Sequence, residues 1–120
     1  MAQAYTVLFV DDDELVRAPV AEILKHAGFR VFVAGSAPEA VRILVQEHVD
    51  VLFTDVVMPD LNGIELAIHA KQLQPGIQVM FATGYFSRAY DAGALGKVLF
   101  KPMRMEQIED ALYDVLRAEH

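Results

Sequence analysis

Five short runs of continuous apolar residues punctuate this chain: Thr6–Val10, Arg30–Ala34, Val51–Thr54, Ile77–Ala82 and Lys97–Phe100. A strand with one wet face alternates apolar and polar residues, whereas an unbroken run is the pattern of a strand covered on both faces. Between the runs lie segments with helical spacing. Val16, Val20, Ile23, Leu24 and Ala27 form the first such stripe. Ala37, Ala40, Val41 and Leu44 form the second, Leu66, Ala67, Ala70 and Leu73 the third, and Ile108, Leu112, Val115 and Leu116 the last. Strands separated by helices must pair in parallel through right-handed crossovers. The expected fold is therefore α/β: an open, doubly wound, five-stranded parallel sheet with helices on both faces.

Local signals place the boundaries. The first helix is expected to start near Glu14 or Leu15, which leaves Pro19 about one turn in, and to stop at Gly28. Ser36 reads as an N-cap with Pro38 and Glu39 in the first turn, and Glu39 is placed to complete a capping box. Pro59, Asn62 and Gly63 mark a loop before a helix from Gly63 to about Leu73, which Pro75-Gly76 ends. The last helix is expected over Met105 to about Ala118. The segment Thr83 to Gly96 breaks the rhythm. It holds three glycines and a poor helical pattern, so at most a short, loosely held fourth helix near Ser87 to Ala92, shortened or irregular, is expected there. The 120 residues read as one domain, 1–120, without repeats or linkers.

Composition excludes several classes of function. With no cysteine there is no disulfide framework and no thiolate metal site, which fits a cytoplasmic location. No apolar run approaches the ~20 residues of a membrane span. Net charge is -7 and the ten Lys and Arg are scattered, so direct nucleic-acid binding is disfavoured. The histidines at 26, 48 and 69 form no ligand pair with an acid at metal spacing.

In a parallel sheet the carboxyl ends of all strands share one edge, where open α/β sheets place their ligands. That edge collects Asp11, Asp12 and Asp13 from the first strand, Asp55 from the third, Thr83 from the fourth and Lys101 from the fifth. Each has an ordinary explanation alone: acids gather at helix N-termini, and a lone Asp after a strand usually forms a turn. Their arrival at one edge is harder to explain that way. Packed carboxylates repel and call for a cation, and oxygen-only ligands suit Mg2+. Carboxylate, divalent ion, lysine and hydroxyl together describe a phosphoryl site in which an Asp can serve as nucleophile.

The motifs Val10-Asp11-Asp12, Asp55 with Met58-Pro59 and Asn62-Gly63, Ala82-Thr83-Gly84 and Lys101-Pro102 occur in that order across nearly the whole chain. Together they make it resemble the CheY-like receiver domain of two-component response regulators. The resemblance implies a flavodoxin-like strand order of 2-1-3-4-5, with Asp55 as phosphoacceptor. It implies Mg2+ held by Asp12, Asp55 and the backbone carbonyl of Val57, with Asp11 acting chiefly through water. Lys101 would pair with the phosphoryl group and Thr83 would move to it, while Asp13 would cap a helix. The implied partners are a histidine kinase or histidine phosphotransfer protein, a downstream protein target and a phosphorylation-dependent dimer mate. The implied responsive surface is the fourth helix, the fifth strand and the last helix.

The chain departs from the family pattern at Val98, where an aromatic switch residue is usual, and in a span from Thr83 to Lys101 about one helical turn short. Phe81-Ala82-Thr83-Gly84-Tyr85-Phe86 resembles the FAT GUY class of single-domain receivers, which makes Tyr85 and Phe86 the candidate switch aromatics. Two other functions compete. A haloacid-dehalogenase-like phosphatase would use Asp11 and Asp13, but leaves Asp55 without a role and has no room for a cap domain. A phosphate-independent interaction module would have no need of the full acid, Thr and Lys set.

Overall fold

The computed structural model describes residues 4–57, 62–84 and 92–117. In chain order these form β1 (Thr6–Val10), α1 (Glu14–His26), β2 (Arg30–Ala34), α2 (Ala37–Gln46), β3 (Val51–Asp55), α3 (Gly63–Leu73), β4 (Gln78–Thr83), β5 (Lys97–Phe100) and α4 (Met105–Arg117). The strands form one parallel sheet in the order β2-β1-β3-β4-β5.

Alternation along each strand divides the core into two layers. Leu8, Val10, Leu52, Val79 and Phe81 pack against Ala40 and Leu44 of α2 and Leu66, Ala67 and Ala70 of α3. Val7, Phe9, Val51, Phe53, Met80 and Ala82 face the other way, against Val20 and Leu24 of α1 and Ile108, Leu112 and Leu116 of α4. The Phe9 and Phe53 rings meet at 5.0 Å between centroids. β1 and β3 are buried along their whole length, which is why their sequences carry no polar alternation. β2 and β5 are the sheet edges and are partly exposed.

The helix boundaries follow from caps. Asp13 caps α1, accepting from the Leu15 N–H at 2.9 Å. Pro19 lies within α1 on its exposed side. Gly28 takes the left-handed conformation, φ 95°, just past the end of α1. Asn62 caps α3, accepting from the Glu65 N–H at 2.8 Å. At α2 the Glu39 N–H donates to Ser36 Oγ, as expected, but the Glu39 carboxylate accepts from the Gly35 N–H at 2.8 Å. The reciprocal half of the capping box thus reaches one residue further back than the sequence suggests.

Other expectations shift by small amounts. β3 runs on through Asp55, and β4 spans Gln78–Thr83, not Ile77–Ala82, because pairing with the neighbours extends past the apolar letters. Leu73 is 39% exposed, since α3 ends there, and Val16, Ile23, Ala27, Val41 and Val115 are only partly buried. The expected helix near Ser87 to Ala92 falls almost wholly outside the described residues, as do Tyr85 and Phe86. No helix among the described residues is long and apolar enough to cross a membrane.

Candidate functional site at the carboxyl edge of the sheet

The same alternation that sorts the core also builds the site. Asp11 follows Phe9 by two residues, Asp55 follows Phe53 by two, and Lys101 follows Leu99 by two. All three therefore continue the parity of the α1/α4 side, whereas Thr83 follows Phe81 and continues the other. Lys101 Nζ donates to Asp11 Oδ2 at 3.0 Å and to Asp55 Oδ2 at 2.9 Å. Asp11 is 1% exposed and Asp55 8%. Asp12 is exposed at the mouth, and one oxygen of each of Asp11, Asp12 and Asp55 lies within 4.8 Å of the other two.

Charge makes this cluster incomplete. Three carboxylates and one ammonium leave a formal charge of about -2 in a half-buried place, where unpaired charge is costly. Burial raises the pKa of Asp55 above its ordinary value, the nearby Asp11 charge adds to the rise, and the bonds to Lys101 oppose it without cancelling it. For Lys101 burial works against the charged form, yet the hydrogen bonds and charges of Asp55 and Asp11 outweigh it and the pKa is raised. An all-oxygen donor set with two surplus negative charges fits a hard divalent cation such as Mg2+.

The main chain supports these groups. The Asp13 N–H donates to Asp11 Oδ1 at 2.9 Å, and the Val57 N–H reaches Asp55 Oδ1 at 3.4 Å. Val57 lines the open cleft together with Asp11, Asp12, Asp13, Asp55, Gly84 and Lys101. Thr83 is buried beside the cleft, and its main-chain oxygen accepts from the Lys101 N–H at 2.9 Å, tying β4 to the lysine. Val98 is half-buried and packs on the α2/α3 side of the core. Asp11, Asp12, Asp55, Val57 and Lys101 are thus brought together, Thr83 stands next to them, and Asp13 serves as a helix cap.

Two supporting residues escaped the sequence reading. Gly63, read there as a loop end, a helix start and part of the Asn62-Gly63 motif but not as a contact with β3, gives the N–H that donates to Val56 O at 2.7 Å. A Cβ at Gly63 would run into the Asp55 carbonyl oxygen, so α3 can start this close to β3 only with glycine. Arg17 Nη1 donates to the Asp11 carbonyl at 2.8 Å. Its only sequence signal is a basic residue in the first half of α1, which is indistinguishable from a solvated side chain.

Known proteins share both sequence and fold with this chain. The family model for the response regulator receiver domain matches residues 7–113. The response regulator receiver protein CpdR of Brucella abortus is 33% identical over 116 residues, covering 93% of this chain and 97% of CpdR. The sensor kinase CckA of the same organism is 32% identical over 120 residues, and there the match covers 95% of this chain but only 13% of the kinase. A crystal structure of a CheY-like receiver domain protein from Methanospirillum hungatei superposes with a TM-score of 0.89 at 25% identity, covering 98% of this chain and 97% of that one. Sheet order, carboxyl-edge acids and sequence similarity along nearly the whole chain converge: this protein belongs to the response regulator receiver domain family of two-component signalling.

Proposed function

We propose that the protein is a phosphoacceptor, with Asp55 receiving a phosphoryl group from a phosphohistidine of a kinase or phosphotransfer protein in a reaction that requires Mg2+. The observation that carries this reading is Lys101 Nζ bonded to both Asp11 and Asp55 beside the exposed Asp12. In the transfer an Asp55 carboxylate oxygen forms the new P–O bond, the P–N bond to the histidine breaks, and the imidazole leaves with the bond's electron pair and takes up a proton. The chain's own residues orient and neutralise. Lys101 holds the carboxylate in place and offers a positive charge to the phosphoryl oxygens, and the Val57 N–H steadies the other carboxylate oxygen. Asp11, Asp12, Asp55 and the Val57 carbonyl would hold the cation, which when bound supplies charge neutralisation. Thr83, buried at the neighbouring strand end, would report the modification to the surface formed by β5 and α4. That surface would then select a downstream protein or a second copy. Tyr85 and Phe86 are proposed as the aromatic partners in that response.

The dehalogenase-like alternative is not favoured, because Asp13 is used as the α1 cap. The reading is tested with beryllofluoride, a phosphoryl mimic, added with Mg2+ to 15N-labelled protein. Shifts of the Asp55, Val57, Gly84 and Lys101 amides that vanish in Asp55→Asn are expected. A spectrum unchanged by the mimic would favour a phosphate-independent interaction module.

A further inference from the structure

Asp12 is the exposed member of the acidic trio, and among the described residues no hydrogen bond holds its carboxylate. Its position is therefore set by the main chain that precedes it, the peptide unit joining Asp11 to Asp12. That unit is held from α1, its Asp11 carbonyl accepting from Arg17 Nη1 at 2.8 Å. The peptide before it is tied to β2, where the Asp11 N–H donates to Ala34 O at 3.2 Å. Arg17 is half-buried, and its guanidinium lies against Gly35 at the start of the β2–α2 loop. A Cβ built on Gly35 would come within 2.8 Å of Arg17 Nη1, so this glycine leaves room for the guanidinium. Gly35 is held in turn, since its N–H donates to Glu39 Oε1 at 2.8 Å.

We infer that Arg17 is a positioning residue for divalent-cation binding: it locks the Asp11–Asp12 peptide plane, and so aims Asp12, from a seat that Gly35 keeps open. This rests on the phosphoacceptor reading of the site and names a residue that serves it without touching the cation. Charge alone does not explain its placement, because a guanidinium near the acids opposes a bound cation, whereas a charged donor on a half-buried carbonyl fixes one peptide orientation. Without the bond, rotation of that peptide would disperse Asp12 over several positions.

The test is calorimetric titration of MgCl2 into the wild type, Arg17→Gln, Gly35→Ala and the double variant, with folding checked by amide spectra. Arg17→Gln removes the clamp, and Gly35→Ala displaces it while keeping the charge. Each single variant is expected to weaken Mg2+ binding by on the order of tenfold, the scale seen when support behind metal ligands is lost. The double variant is expected to be no weaker than the weaker single one, because both act through one contact. The Asp12 amide resonance should broaden or shift in both. Tighter Mg2+ binding in Arg17→Gln would show that its charge acts and not its clamp, because loss of a nearby cation favours Mg2+; that result, an unchanged Gly35→Ala, or losses that simply add would overturn the clamp. If Arg17→Gln does not fold, Gly35→Ala alone decides. Absence of Mg2+ binding by the wild type would instead overturn the phosphoacceptor reading, and this inference with it.

Discussion

Asp55 and Lys101 carry opposite consequences for stability. The folded-state pKa of Asp55 lies above its ordinary 3.8, so the folded protein binds that proton more readily than the unfolded chain. The stability this contributes is present at pH below 3.8 and is lost as pH rises through the elevated folded value. Asp55→Asn removes the carboxylate but leaves Lys101 bonded to Asp11 at 3.0 Å. In the absence of Mg2+ the variant should therefore melt at a higher temperature than wild type at pH 7. The gap should close as pH falls toward 3.8; a gap that widens on acidification would contradict the assignment. Lys101 is raised above 10.5, so its contribution is complete below that pH and lost above it. Lys101→Ala leaves Asp11 and Asp55 facing each other without the ammonium. It should cost about 2 kcal/mol by denaturant titration, less than the roughly 3–5 kcal/mol of a fully buried pair, because the lysine side chain is 29% exposed. An unchanged midpoint would show that the three charges are screened. Asp11, Asp55 and Lys101 were legible in the sequence because each directly follows an apolar strand run, and strand ends in a parallel sheet have one destination.

At the scale of elements, close approach matters more than propensity. α3 begins against the backbone of β3 at Gly63, where any side chain would meet the Asp55 carbonyl. Gly63→Ala should push α3 away from β3, destabilise the fold by about 2–3 kcal/mol, and disturb the Asp55 and Val56 amides. A spectrum changed only at residue 63 would refute that coupling. The ends of α1, α3 and β5 were readable because Asp13, Gly28, Asn62 and the Lys97–Phe100 run are local signals. Contacts between elements left no such trace. Arg17 reaches back across a turn to the Asp11 carbonyl, and Glu39 reaches to Gly35 instead of its own cap residue. Both depend on how α1 and α2 sit on the sheet edge, and a single line of residues does not record that.

For the whole molecule, alternation of strand and helix determined the layers, and the order β2-β1-β3-β4-β5 places β1 and β3 side by side at the centre. That adjacency brings Asp11 and Asp55 together, with β4 and β5 delivering Thr83 and Lys101 from one side. The segment between Thr83 and β5 had no periodic signal to read, and Tyr85 and Phe86 lie there outside the described residues. A site with surplus negative charge would tie the fold to a bound cation. Mg2+ at a hundredfold excess over its dissociation constant should stabilise wild type by about 2.7 kcal/mol, and by clearly less in Asp12→Asn; equal stabilisation of the two would place the ion elsewhere. The most direct test of the central claim is intact mass after incubation with acetyl phosphate and Mg2+, comparing wild type with Asp55→Asn. The account predicts a gain of one phosphoryl group in wild type and none in the variant. Equal gain in both, or no gain in wild type with acetyl phosphate or a phosphorylated histidine kinase as donor, would contradict it.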